Sequence, residues 1–495
     1  MTRSIRRTAW TVFALFGLLF VNLNWLQVVR SESLAQDPQN RRQLLAEYEV
    51  RRGAITVGSG LQQATIATAR PTDDQLRFLR IYNEPETYAH ITGFHSFIYG
   101  RSQLEQRYND FLQGSGPEAL FRNLGDALRG RERQGDTLVT SIDPLVQNAA
   151  VSALGSQTGA VVALDPRNGD VLAMVSSPSY DPGALSSHDG PAIRAAWDAL
   201  EEDPSNPRLN RATSESYAPG STFKVITAAA ALEHGATPAQ TYADPALLDL
   251  PQTTAQIGNF SRGQPCNDGQ SITLQQALEV SCNTTFGLIG LELGADALIQ
   301  TAERFGLNAD VDFDLPTTTS RIPKELDPPQ TAQSAIGQRD VRTSPLQMAL
   351  VAAAVGNDGV MMQPRLVTTV EDFAGRTVRQ YPASPRTLGG AATGRTVRPA
   401  TAQALTDMMV GVVNDGTGRA AQIPGVQVAG KTGTAEQGDG QPPDVWFIGF
   451  APAEDPRVAV AVVVESGGES GENGTGGGVA APIARTVMEA AVAAQ

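Results

Sequence analysis

Lysine is nearly missing from this chain: three lysines stand against 35 arginines in 495 residues. A guanidinium cannot serve as a base near neutral pH, whereas a desolvated amine can, so a lysine that persists against such a drift is a candidate for chemistry. Histidine is scarce as well. His90, His95, His188 and His234 are scattered, and His90 and His95 have no acidic partner motif, so neither a metal site nor a cofactor is expected. The net charge is −14 and no basic block follows the first residues, which argues against a nucleic-acid partner. No repeat period and no sustained heptad pattern runs through the sequence.

The length leaves room for two or three domains, and 48 glycines with 31 prolines suggest many loops. Residues 9–29 form one apolar run of about the length that crosses a bilayer. Arg3, Arg6 and Arg7 precede it. The positive-inside rule therefore predicts a cytoplasmic tail over residues 1–8, a transmembrane anchor over 9–29 and everything later outside the plasma membrane. The rival reading is a signal peptide cleaved after Ser33-Leu34-Ala35. The run is longer than a usual signal core, which favours an uncleaved anchor.

Residues 30–50 are polar and read as a linker. Residues 51–150 mix β-like runs with a helical stretch and read as a smaller α+β domain. In residues 151–495, two β-rich runs at 159–164 and 170–175 flank the turn formers Asp165-Pro-Arg-Asn-Gly169, which predicts a hairpin. A helix-biased tract follows from Ser221 to about residue 420. Strand-like runs at 426–434, 445–450 and 458–464 and a helix over 482–494 close the chain. Strands at both ends with helices between them predict one sheet assembled from distant segments, an α/β sandwich.

Two of the three lysines sit in local patterns. In Ser221-Thr-Phe-Lys224 the i, i+3 spacing puts both side chains on one helical face, and Pro219-Gly220 marks the helix start. The helix dipole would favour developing negative charge at Ser221, and a lysine desolvated beside a second cation could take the serine proton. Ser281-Cys282-Asn283 offers a hydroxyl shuttle and an amide. In Lys431-Thr432-Gly433-Thr434 a period of two puts both threonines on one face, where their hydroxyls could grip a carboxylate. Gly433 is expected to let a substrate backbone approach, and Lys431 to supply the cation that depresses Lys224. Each pattern also has a plain structural reading: a helix cap, a turn asparagine, a strand-end lysine.

Taken in order, Ser-x-x-Lys, Ser-x-Asn and Lys-Thr-Gly resemble the penicillin-binding protein and serine β-lactamase superfamily. Residues 159–175, Gly337-Gln338 with 343–349, Gly416-Thr-Gly418 and 446–452 extend the resemblance to penicillin-binding transpeptidases over about residues 150–495. The likeness is greatest to the monofunctional class B proteins of actinobacteria. Arg52-Gly53 and residues 99–105 carry a looser likeness, with Gln103 where many relatives have glycine. The resemblance implies a transpeptidase fold, an antiparallel sheet flanked by helices with a helical subdomain, beside a small pedestal or dimerisation-like domain.

It also implies a peptidoglycan D,D-transpeptidase in cell-wall synthesis, cell division and cell shape. Ser221 would attack the carbonyl between the two terminal D-alanines of a stem peptide, Lys224 would accept the proton, and Ser281 would protonate the leaving D-alanine. The backbone N–H groups of Ser221 and Thr434 would form the oxyanion hole. Asn283 would hold the substrate amide, Lys431, Thr432 and Thr434 the carboxylate, and an amine from a second stem would resolve the acyl-enzyme. β-Lactam antibiotics would acylate the same serine, and a membrane glycan polymerase is the expected partner.

Other readings stay open. A β-lactamase needs a water-activating base, which no Glu-x-x-x-Asn context offers. A bifunctional synthase needs a glycosyltransferase domain larger than the segment before residue 150. A D,D-carboxypeptidase, a β-lactam sensor and a catalytically weak scaffold share the motifs. Finally, a turn and a short helix between Cys266 and Cys282, the only cysteines, could fold one thiol back onto the other. A disulfide there would contribute about 3 kcal/mol and hold Ser281 and Asn283 in place. The alternative is two buried thiols that never meet.

Overall fold

The computed structural model of the chain describes residues 3–29, 47–58, 60, 63–116, 119, 133–260, 263–388, 393–438 and 440–494. Most of the expected linker, including Ser33-Leu34-Ala35, lies outside them. The apolar run forms helix α1 (Arg3–Asn24), which continues through one π-helical turn to Val29. Its residues 5–28 have a mean hydropathy of 1.6 and none of that surface is buried in the protein, so it fits a single-pass membrane anchor.

The first sheet grows from β1 (Ile55–Val57), a fully buried triplet of two apolar residues around Thr56. It pairs antiparallel with β2 (Ala64–Pro71), which pairs with β3 (Phe78–Tyr82), and parallel with β4 (Thr137–Thr140). Beneath it lies a buried ionic group. Glu105 accepts from Arg52 Nε at 2.5 Å and from Arg80 Nε at 2.6 Å, and Arg80 Nη1 also donates to the Gly53 carbonyl at 2.7 Å. Residues with only a loose family likeness thus turn out to be the polar keystone of this sheet. Gln103, two residues before Glu105, holds φ 51°, the left-handed region that glycine enters without strain.

The second sheet opens with the expected hairpin, β5 (Gly159–Leu164) and β6 (Val171–Ser177), whose turn is closed by Gly169 at φ 81°. The structure then departs from the helix-biased reading of residues 221–420. Two short strands, β7 (Val367–Glu371) and β8 (Thr377–Gln380), extend the first sheet to the order β8-β7-β4-β1-β2-β3. Two small ribbons, Thr241–Ala243 with Ser271–Thr273 and Leu247–Asp249 with Gln256–Gly258, lie in the same tract. All six runs are three to five residues long, too short to show a period beside the alanine-rich helices around them.

The chain closes with β9 (Ala429–Ala435), β10 (Asp444–Ala451) and β11 (Val458–Val464), completing an antiparallel sheet of order β9-β10-β11-β5-β6. Strand β11 is buried throughout, and its residues alternate between two cores. Ala459, Ala461 and Val463 face the helical core with the wholly buried helix Pro345–Gly356. Val458, Val460, Val462 and Val464 face the helices Pro144–Leu154 and Ala481–Ala493. The sheet is therefore covered on both sides, the sandwich that the sequence predicts.

Burial alone would raise the Glu105 carboxyl, but the guanidinium groups of Arg52 and Arg80 overcome it and hold it below the ordinary carboxylate range. Glu105→Gln leaves two buried cations without their counter-ion. Denaturant unfolding of this variant is expected to show a loss of about 3–5 kcal/mol.

Candidate active site

Ser221 sits in a single 3-10 turn, Gly220–Phe223, and the α-helix begins only at Lys224 (α2, Lys224–Glu233). This corrects the expected α-helical start at Ser221. Gly220 at φ 52° and the Thr222 hydroxyl, which donates to the Pro219 carbonyl at 2.7 Å, wind the chain more tightly there. In a 3-10 turn residues i and i+3 eclipse, so the serine and lysine still face each other. Ser221 Oγ lies 3.0 Å from Lys224 Nζ.

Lys224 and Lys431 are both fully buried, and both reach Ser281. Lys224 Nζ lies 2.7 Å from the Ser281 carbonyl, 3.4 Å from its hydroxyl and 2.6 Å from Asn283 Oδ1. Lys431 Nζ donates to Ser281 Oγ at 2.8 Å and to the Thr432 carbonyl at 2.9 Å. Burial, and then the charge of Lys431, push Lys224 well below the ordinary lysine range. Burial pushes Lys431 down to about 7. In its neutral form, which burial and Lys431 favour, Lys224 could accept a proton from Ser221, and Ser281 Oγ lies within reach of both amines.

Ser281 itself takes φ 62°, a strained conformation for a residue with a side chain. Its surroundings hold it. Cys282 is joined to Cys266 in a disulfide with a Cα–Cα distance of 5.8 Å. The following helix, α3 (Asn283–Arg304), is capped from a distance by Asn259, whose Oδ1 accepts from the N–H groups of Asn283 and Thr284 at 3.0 and 3.1 Å. Buried Asp244 accepts from the N–H groups of Cys266 and Asn267 at 2.8 and 2.7 Å. Sequence reasoning missed Asn259 and Asp244, since neither sits at a capping distance in the chain. The Asn283 amide is occupied at both ends, by Lys224 and by the Gly258 carbonyl at 3.0 Å.

β9 is an edge strand of its sheet, and its free edge faces the nucleophile turn. A Cβ on Gly220 would lie 2.8 Å from the Thr434 carbonyl. The reason expected for Gly433 needs correcting. Its absent side chain makes room not for substrate but for the turn itself: a Cβ there would lie 2.9 Å from the Pro219 carbonyl and 3.0 Å from Trp446 Cβ. Trp446 Nε1 donates to the Ala218 carbonyl at 3.0 Å and ties the same loop to the sheet. Thr432 shares a hydrogen bond of 2.6 Å with Thr417, a partner the motif gave no sign of beyond Gly416-Thr-Gly418. Thr434 lies on the edge beside Gly220, apart from the lysine cluster.

From Asn283 and Gly258 an open cleft of about 1420 Å³ runs past Tyr217 to Asp444 and Glu465. Asn283 is the member of the residue cluster that lines it, and a cleft of this size opening at that residue suits an extended substrate. Gly433→Ala must part strand and turn by a few tenths of an ångström or more. Labelling with fluorescent penicillin is expected to slow about 100-fold in this variant, with the thermal midpoint little changed.

A family profile described as the penicillin binding protein transpeptidase domain matches residues 159–489. One described as the penicillin binding protein A dimerisation domain matches residues 52–138. The chain is 43% identical to the peptidoglycan D,D-transpeptidase PbpA of Mycolicibacterium smegmatis, over 99% of both chains. It is 42% identical to PbpA of Mycobacterium tuberculosis, again over 99% of both. The solved structure of M. tuberculosis penicillin-binding protein A as a ceftriaxone acyl-enzyme superposes with a TM-score of 0.85 at 41% identity, covering 90% of this chain and all of that one. Its penicillin G acyl-enzyme gives a TM-score of 0.83 at the same identity and coverage. With one profile spanning most of the chain and relatives similar from end to end, this chain belongs to the penicillin-binding protein transpeptidase family.

Proposed function

We infer that this chain is a peptidoglycan D,D-transpeptidase that works through a serine acyl-enzyme and is acylated by β-lactams. The observation that carries the chemistry is the distance of 3.0 Å between Ser221 Oγ and a buried amine whose charged form is disfavoured by desolvation and by Lys431. Ser221 Oγ attacks the carbonyl between the two terminal D-alanines of the donor stem and passes its proton to Lys224 Nζ. The oxyanion would lie against the N–H groups of Ser221 and Thr434, a reading that the close approach of the Gly220 turn to the strand edge at Thr434 supports. As the C–N bond breaks, the proton returns through Ser281 to the departing D-alanine amine. An amine of a second stem then attacks the ester and frees Ser221.

In this reading Lys431, Thr432 and Thr434 bind the terminal carboxylate, with Thr417 orienting Thr432. The Asn283 amide would exchange its bond to Lys224 or Gly258 for one to the substrate backbone. The disulfide is a staple behind Ser281 and Asn283.

Residues 51–150 would form the non-catalytic pedestal and 151–495 the transpeptidase domain, with β7 and β8 lent back to the pedestal sheet. The three arginines before the apolar helix support a cytoplasmic N-terminus and an extracytoplasmic catalytic domain. That placement suits a membrane glycan polymerase as partner, because glycan strands and their crosslinks are made on the same side.

Ser221→Ala should abolish labelling by fluorescent penicillin, and a label that persists refutes the assignment. Lys224→Arg should slow acylation about 100- to 10,000-fold, close to Lys224→Ala, because arginine holds its proton. The wild-type rate should fall with acid as Lys224 becomes protonated. Removing the neighbouring charge in Lys431→Met raises the pKa of Lys224, so the acid limb should move to higher pH. Stopped-flow acylation across pH checks this sign.

The anchor has its own test. The protein should stay with membranes through high-salt washing and leave only in detergent, and a mature N-terminus near Gln36 refutes the anchor in favour of a signal peptide.

A further inference from the structure

The segment 337–343 is pinned at both ends to the nucleophile loop. The Gly220 N–H donates to the Gly337 carbonyl at 2.9 Å, and Tyr217 and Thr343 exchange backbone hydrogen bonds of 3.0 and 2.8 Å. Between these ends Arg342 pairs through its backbone with Arg321, and the side chains of Arg339 and Arg342 line the wall of the cleft. Arg339 holds φ 63°, a left-handed conformation that a side-chain-bearing residue adopts under strain. Such strain, at the rim of a site and on a charged residue, points to a use for the side chain.

Of the four carboxylates that line the cleft, Glu436 is exposed and the other three have polar partners. Glu465 accepts from Arg211 Nε at 2.9 Å and from the Tyr217 hydroxyl at 2.7 Å. Asp444 accepts from the Ser466 N–H at 3.1 Å and from Gln437. Glu215 accepts from the Ser216 N–H at 2.9 Å. Arg342 differs. Its Nη1 donates to the carbonyls of Arg339 and Val341, at 2.6 and 2.9 Å, and among the described residues it forms no ion pair within 4 Å, although its charge is felt at Asp444. These two bonds fix the guanidinium and leave its other edge for a ligand. Arg339 is paired only with exposed Asp340 at 3.3 Å and with Gln333 Oε1 at 3.1 Å, contacts that a better acceptor can displace.

A planar guanidinium held on one edge is suited to a carboxylate, which it binds through two parallel N–H donors. We propose that Arg339 and Arg342 form a carboxylate-binding subsite of the cleft, which reads an acidic group on the substrate peptide upstream of its D-alanyl-D-alanine end. The inference rests on the transpeptidase reading and adds to it a second charge contact, distinct from the grip of Lys431, Thr432 and Thr434 on the terminal carboxylate. Because the segment is fastened to residues 217 and 220, the subsite keeps a fixed offset from Ser221. An acidic group bound there sets the register of the peptide before the serine attacks.

The test compares two peptides, the N-succinyl and N-acetyl forms of L-alanyl-D-alanyl-D-alanine, which differ by one carboxymethyl group, and so by one negative charge, at the upstream end. Each is titrated against fluorescent-penicillin labelling of the full-length protein in detergent. The succinyl peptide is expected to protect Ser221 about tenfold better than the acetyl peptide, and the preference should vanish in the Arg339→Gln, Arg342→Gln double variant. Equal protection by both peptides in the wild type, or a preference that survives the double substitution, overturns the subsite. Thermal unfolding checks that the double variant is folded, and if it is not, the single variant Arg342→Gln must by itself lose most of the preference. Failure of the transpeptidase reading looks different: the wild-type chain would then take no label at Ser221 at all.

Discussion

Two amines buried beside one hydroxyl cannot both be charged without a counter-ion, and that conflict organises the site. Lys224 and Lys431 converge on Ser281, each removed from water. The pair lowers its energy by releasing protons, which shifts the amine beside Ser221 toward its neutral form. The arrangement works only while water stays out and the acceptors stay fixed. Hence the conspicuous bracing of one strained serine: a disulfide behind it, a capping asparagine from another segment, and a strand edge carrying Lys431 on the far side.

The sheet supplies the rigidity for this. Because β11 is buried on both faces, β10 and β9 beside it are fixed in register from Lys431 opposite Ile448 to Thr434 opposite Val445. The strand edge can then lie against the nucleophile turn at a separation that leaves no room for a side chain at Gly433 or Gly220. Trp446, on the next strand, fastens the loop before Ser221. The spacing between Ser221, Lys224 and the strand edge at Thr434 is thus set by backbone packing, which thermal motion disturbs less than it disturbs side-chain contacts.

Parts of the site that depend on local spacing were legible in the sequence. Ser221 and Lys224 are three residues apart, and Lys431 lies in a strand whose alternation is plain. What was hidden involves partners distant in the chain. Asn259 caps a helix that begins 24 residues later, and Thr417 meets Thr432 from a neighbouring loop. Gly433 shows a different limit: a missing side chain reveals that something comes close, but not whether it is substrate or protein. The strands β7 and β8 were hidden because runs of four or five residues carry too little pattern to stand out from the helices around them.

Both sheets are closed by late segments of the chain. The first is completed by residues up to 380, and the second pairs β5 with a strand that ends at residue 464. A ribosome delivers residues in order, so for most of synthesis each half-built sheet lacks its partner and shows an open edge. Such pairings across long stretches of chain form slowly, since loop closure must precede any gain from contact. The nascent polypeptide therefore carries these open edges until β11 has been made, and in a fragment ending before β11 the hairpin of β5 and β6 lacks the neighbour that joins it to the strand bearing Lys431.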